Sequence, residues 1–346
     1  MVQIKTALTS RLNLYSPIIS GPMAGAATPE MVVAVARAGG LGGIGAGSQS
    51  SWELKTQIQA VRKSLDIPED QPVPMIVGFI GWCLDRTEAS DDPRLIAVLE
   101  QNPVAVWFAF GVDLGRYIDQ VHAYNARTGR NIFIFVLVSS VEEARRAADK
   151  NVDALVVQGN EAGGHGPADS LPLIVLLAAV LREFGMTKDK RQPLVIAAGG
   201  ISTGAQTAGL LSMGADGVAL GTRFLFTHEC SYSEAKKQAL LEADLNSTTR
   251  TMAFDEVLKF THFAPLNCDG RAISNKIIDD LKAGLGIEER VQKFEESARQ
   301  GDNSRLVVWA GSGVGMTDEI KGAADILHDL HEEVVKRLQS VSKLLA

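Results

Sequence analysis

The chain has 346 residues, 46% hydrophobic and 22% charged, with a formal net charge of −7. That balance is ordinary for a globular protein. With no long Lys/Arg run it argues against nucleic acid as a partner. Cys83, Cys230 and Cys268 are far apart and form no CxxC pair, so a structural zinc site and a disulfide framework are not expected and a reducing compartment is. No membrane span is expected either: the longest apolar segment, Leu171 to Leu181, is short and interrupted by Pro172. The amino terminus lacks the apolar core of a secretion signal, and Ser342-Lys343-Leu344 is internal, so the expected location is cytoplasmic.

Short aliphatic runs recur along the chain, each followed by glycines and then a helix-like stretch. Pro17 to Ser20 reads as the first strand, followed by Gly21-Pro22-Met23-Ala24-Gly25 and a helix capped by Thr28 with Pro29 at its first position. Leu41 to Ile44 is the second strand, before Gly45-Ala46-Gly47 and an amphipathic helix over Trp52 to Leu65. Val73 to Ile80 is the third, with Pro93 to Glu100 helical after it. Val104 to Phe108, Ile132 to Val136 and Ala154 to Val157 follow as strands four to six, each ahead of a helical stretch. Leu194 to Ala197 and Gly217 to Leu220 complete eight.

Eight strand-helix units with continuously apolar strands predict a closed parallel TIM (β/α)8 barrel, with a doubly wound sheet as the structural alternative. Residues 230–300 are rich in Glu, Lys and Ala and lack strand runs. They predict a helical insertion between the eighth strand and a last helix over Asp318 to Leu338. The expected division is a barrel of 1–225 and 305–346 with a substrate-side insertion of 226–304.

Strand carboxyl ends are where such folds bind ligands. Ala198-Gly199-Gly200-Ile201-Ser202-Thr203, ahead of a helix from Gly204 to Met213, offers free amides and a positive helix end to a phosphate. Leu220-Gly221-Thr222-Arg223-Phe224 adds amides and a hydroxyl. The plainer reading is that these glycines serve only tight turns. The polar loop Gln158-Gly159-Asn160-Glu161-Ala162-Gly163-Gly164-His165-Gly166-Pro167 follows the sixth strand and carries a histidine able to exchange a proton near neutral pH.

Pro22-Met23-Ala24-Gly25, Gln158 to His165, Ala198 to Ile201 and Leu220 to Phe224, in this order, resemble the nitronate monooxygenase family, formerly called 2-nitropropane dioxygenases. The late Trp309-Ala310-Gly311-Ser312-Gly313-Val314-Gly315 resembles that family's Ala-Gly-Gln-Gly-x-Gly segment. The likeness runs from about residue 10 to the carboxyl end. It implies noncovalent FMN across the barrel mouth. Pro22, Met23 and Ala24 would meet the isoalloxazine through backbone, and Gln158 would hydrogen-bond it. Gly163, Gly164, Gly199, Gly200, Ile201, Gly221 and Thr222 would hold the ribityl phosphate, and His165 would be the catalytic base. The implied reaction is oxidation of an alkyl nitronate with O2 as the final oxidant, His165 being needed where a neutral nitroalkane must first lose its α-proton. Two positions depart from the pattern: Gly78 stands where many relatives carry Asn, and Ser312 replaces Gln. Trp82 and Ser312 are therefore the expected substrate-side residues.

Other residues read more plainly. His122, His328 and His331 fall on outer helices and are expected to be solvated; His228 and His262 border the insertion. Glu161 is expected to order its loop rather than act as a base. Asp325, His328, Asp329 and His331 have metal-like spacing but read as a charged helix face. Phe254, Val257, Leu258 and Phe260 are expected in a core. Two functions compete with nitronate oxidation: an FMN-dependent NAD(P)H reductase of quinones or enoyl thioesters, and a flavin-storing barrel without turnover.

Overall fold

A computed structural model describes residues 2–185, 192–260 and 267–345. Eight parallel strands close into a barrel: β1 (Ile18–Met23), β2 (Leu41–Gly45), β3 (Val73–Ile80), β4 (Pro103–Ala109), β5 (Phe133–Val138), β6 (Ala154–Gln158), then β8 (Leu194–Ala198) and β9 (Gly217–Leu220). β9 returns to β1 with Ile18 opposite Val218 and Ile19 opposite Ala219. All eight are the strands expected, and the closed barrel excludes the open doubly wound sheet.

Both faces of each strand are covered, which is why the runs are continuously apolar. Alternate residues point inward. Ala105 and Trp107 on β4, Phe133 and Phe135 on β5 and Leu194 and Ile196 on β8 fill the barrel, and Leu8 of the helix Ala7–Leu12 packs against the same cluster. Their neighbours Val106, Phe108, Ile134 and Val195 pack outward against the helices. Small residues, Ala109 and Ala198, end β4 and β8 on the inward side. The interior therefore widens into a bowl at the carboxyl ends.

The expected helix after β1 forms as read: the Thr28 hydroxyl accepts from Met31 N–H at 3.2 Å, with Pro29 in the first turn. The closing helix runs Ala323–Val341, a few residues later than expected. Among the described residues no helix is long and apolar enough to cross a membrane.

The insertion is mainly helical, with helices at Glu234–Leu241, Ala253–Leu258, Lys276–Lys282 and Ile287–Gln300. It also contains two strands that the sequence did not suggest. β10 (Thr248–Thr251) and β11 (Cys268–Ile273) pair antiparallel, and β11 pairs with β7 (Gly164–Pro167). Part of the expected polar loop is thus a strand. These segments are short and poor in large apolar residues, and β11 meets β7 across about a hundred residues of chain, so they carry little strand signal. Phe254, Val257, Ala272, Ile277 and Val307 form a separate small core, with Leu258 and Trp309 packed against it. Phe260, expected with them, is 48% exposed.

Candidate active site

The three-stranded sheet brings the insertion over the end of β6. His165 on β7 lies opposite Gly270 on β11. A side chain on Gly270 would run into the Trp309 ring, 2.3 Å from its nearest carbon. The glycine therefore lets Trp309 lie beside His165, with ring centroids 4.8 Å apart. On the other element, His165 Nε2 meets Asp255 Oδ1 at 2.6 Å. Asp255 is 1% exposed, and its second oxygen has no hydrogen-bond partner among the described residues. A buried carboxylate is costly unless paired, so this contact fixes both groups. With Nε2 turned to the carboxylate, Nδ1 is the nitrogen left for a proton.

Asp255 was not singled out from sequence. The hint available was a carboxylate next to Phe254 in a short stretch whose other anchors, Val257 and Leu258, are apolar. A burial pattern cannot say which histidine such a carboxylate meets. Arg250, on β10, was also missed: it bonds the Gly166 carbonyl at 2.7 Å and Asp269 at 2.8 Å, tying β7 to the insertion.

The residues assigned to a cofactor gather at the same mouth. Pro22 packs over glycines: a Cβ on Gly78 would sit 2.5 Å from Pro22 Cβ, and one on Gly45 would sit 2.4 Å from Ala24 N. Any side chain at position 78 would have to displace the Pro22 ring. Met23 reaches across to β9, its sulphur 3.6 Å from the place of a Gly221 Cβ. Gln158 donates to the His165 carbonyl at 3.1 Å, linking the end of β6 to the histidine.

Gly199 and Gly200 have φ of 104° and 68°, a conformation costly for other residues. Among the described residues, the amides of Gly163, Gly199, Gly200, Ile201 and Gly221 donate to no protein acceptor. Gly163 admits the Ala310–Gly311 backbone, and Gly164, with φ of 70°, faces open space. The Thr222 hydroxyl accepts from Gly311 N–H at 2.8 Å and keeps its own hydrogen to donate. Gly199, Gly200 and Ile201 border a groove of about 530 Å3 lined by Leu173, Leu210 and Met213 and bounded by Ser312 and Gly313, whereas Gly163, Gly164 and Gly221 lie outside it. Converging free amides without a protein acceptor fit an anionic group such as a phosphate.

One part of the expected grip is otherwise engaged. The helix Gly204–Met213 is capped by its own Thr203 and Gln206, and Gly204 N–H bonds the Glu333 carboxylate at 2.7 Å. Its positive end is thereby satisfied, and the free amides lie in the loop before it. Ser312 lies beside Gly200, its N–H bonding the Glu161 carbonyl at 2.9 Å. The Glu161 carboxylate bonds Leu173 N–H at 2.9 Å and starts the next helix, the loop-ordering role expected of it. Trp82 stands on the helix Gly81–Thr87 just past β3.

All three histidines of the outer helices differ from expectation, His328 being half-buried. His331 is buried, bonding the Val2 carbonyl at 2.9 Å and packing on Tyr15, because its helix lies against the amino-terminal segment. His122 is half-buried and bonds the Lys150 carbonyl at 3.0 Å. His228 is exposed, and His262 lies outside the described residues. The three cysteines are free. Burial pushes the Cys268 thiol up to about 12, so it is no nucleophile at neutral pH.

The nitronate monooxygenase family model matches residues 5–71 and 82–333. Nitronate monooxygenase of Neurospora crassa is 32% identical over 98% of this chain and 96% of its own length. That of Paraburkholderia phytofirmans is 32% identical over 97% of each. The solved structure of FabK from Thermotoga maritima aligns with a TM-score of 0.79 at 26% identity, over 99% of this chain and 100% of that one. Nitroalkane oxidase from Streptomyces ansochromogenes shares the fold, with a TM-score of 0.75 at 24% identity over 96% and 99%. With a parallel barrel, glycine-rich strand ends and a family match across most of its length, the chain belongs to the nitronate monooxygenase family.

Proposed function

We propose that the protein is an FMN-dependent nitronate monooxygenase, oxidising alkyl nitronates with O2 to carbonyl compounds and nitrite, and accepting neutral nitroalkanes through His165. The observation that carries this reading is the His165–Asp255 pair at 2.6 Å, set beside unpartnered amides at the strand ends. The amides of Gly163, Gly199, Gly200, Ile201 and Gly221 with the Thr222 hydroxyl would hold the phosphate. Gly164 leaves room beside it, Pro22, Met23 and Ala24 would support the ring through backbone, and Gln158 would bond its edge. Bound there, FMN would accept the electrons of the nitronate and pass them to O2.

His165 Nδ1 takes the α-proton of a neutral nitroalkane. Asp255 accepts from Nε2, orients the ring and stabilises the imidazolium that forms, as a carboxylate does behind any histidine base. Trp309 covers one side of the imidazole and limits its rotation. The insertion, taken as 226–304, supplies Asp255 and so completes the site from outside the barrel. A nitronate and O2 are the proposed reactants, in a reducing cytoplasm that suits the free thiols.

The likeness to FabK is the observation on the side of an NAD(P)H-dependent reductase. Anaerobic mixing separates the two. Bleaching of the flavin absorbance by ethylnitronate, with none by NADH or NADPH, is the expected result. Bleaching by NAD(P)H alone would overturn nitronate oxidation, and a purified protein that takes up no FMN would overturn both.

A further inference from the structure

The rim above β3 and β4 holds an aromatic pair fixed by an uncommon backbone. Gly81 and Gly111 abut so closely that a Cβ on Gly81 would lie 2.8 Å from Gly111 Cα. Trp82 N–H bonds the Phe110 carbonyl across this junction at 3.2 Å. Phe110 itself has φ of 54°, a left-handed conformation that a bulky side chain seldom adopts. Glycine or asparagine would make that turn at less cost. The strain instead turns the phenyl ring onto the cluster that fills the barrel, where it stacks on Trp82 with centroids 5.4 Å apart and planes at 26°. Strain of this kind concentrates at functional positions.

On the helices that follow, Asp85 and Arg116 contact each other and Tyr117. Two residues beyond Phe110, Val112 is 94% exposed. On β3 the side chain that could make a polar contact is missing, since position 78 is glycine under the Pro22 ring.

We propose that Trp82 and Phe110 form the specificity wall of the site, and that the substrate class they select is a nitronate bearing an aryl or similarly broad apolar group. A flat apolar substituent stacks on the pair; a short alkyl chain leaves it uncovered. The proposal rests on the nitronate reading for its chemistry but on the rim geometry for its selectivity.

The test uses the FMN-loaded enzyme with phenylnitromethane nitronate and ethylnitronate. Wild type should favour the aryl substrate. Phe110→Gly removes the ring and relieves the backbone, so it should fold; Trp82→Ala removes the partner. Each should lower the aryl-to-ethyl ratio of kcat/KM about tenfold or more, the range seen when a hydrophobic pocket loses a group. Trp82→Phe should restore most of it. A ratio unchanged in both variants, or a wild type preferring ethylnitronate, overturns the wall. If wild type oxidises no nitronate, the reaction reading fails separately. Calorimetric binding of benzoate against propionate then decides the wall: wild type should prefer benzoate and the two variants should not, and any other pattern overturns it.

Discussion

Replacing Asp255 by Asn keeps the shape of the side chain and removes its charge. The lost contact is 2.6 Å long and the carboxylate is 1% exposed, so water screens the pair little. A hydrogen bond involving a charged group contributes about 1.5–3 kcal/mol net. The imidazolium exists only once the α-proton has moved, so this contribution acts on the transition state for proton removal rather than on substrate binding. At about 1.36 kcal/mol per factor of ten, it corresponds to roughly a 10- to 150-fold loss of kcat/KM on neutral nitroethane. Ethylnitronate prepared beforehand has no such proton to lose, and its oxidation should fall less than about threefold. An oxygen electrode with both substrates, at matched FMN occupancy, reads the difference. Equal losses on the two substrates, or no loss on nitroethane, would refute the assignment of Asp255 as the group behind a proton-abstracting His165.

His165→Asn should separate the same substrates more widely, by about 10²–10⁴ on nitroethane, the range of general base catalysis, with ethylnitronate turnover largely kept; oxygen uptake reads it. Gly221→Ala tests the cofactor's space. Among the described residues the one neighbour of the new Cβ within 4 Å is Met23 sulphur at 3.6 Å, so the apoprotein melt should stay within about 0.5 kcal/mol while fluorescence titration shows weaker FMN binding. Gly200→Ala puts a Cβ 2.8 Å from Glu161 Cβ at φ of 68°, and should destabilise the apoprotein itself by about 1–3 kcal/mol in denaturant titration. Burial holds His331 below its ordinary value of 6.5. The unfolded chain therefore binds that proton more readily, and stability present above about pH 6.5 is lost as the pH falls toward the folded value. Urea midpoints should drop between pH 7 and 5, with a shallower drop in His331→Phe.

The barrel was legible in the chain because its signals are local. A strand buried on both faces must be apolar throughout, and the turn after it needs glycine, so β1 to β6, β8 and β9 could be read one at a time. The glycines at 199, 200 and 221 and the histidine at 165 were visible for the same reason. The pairing of β11 with β7 and of His165 with Asp255, 90 residues apart, was not. Each side of those contacts is a short segment whose pattern carries no record of its partner, and only closure of the insertion over the barrel mouth joins them. The Phe110–Trp82 stack arises the same way, from two glycines on different strand ends meeting in space. The sequence by itself determined the scaffold and the chemistry available at its rim. The tertiary structure decided which nitrogen of His165 stays free and which residues face it, because those are relations between elements rather than properties of any one.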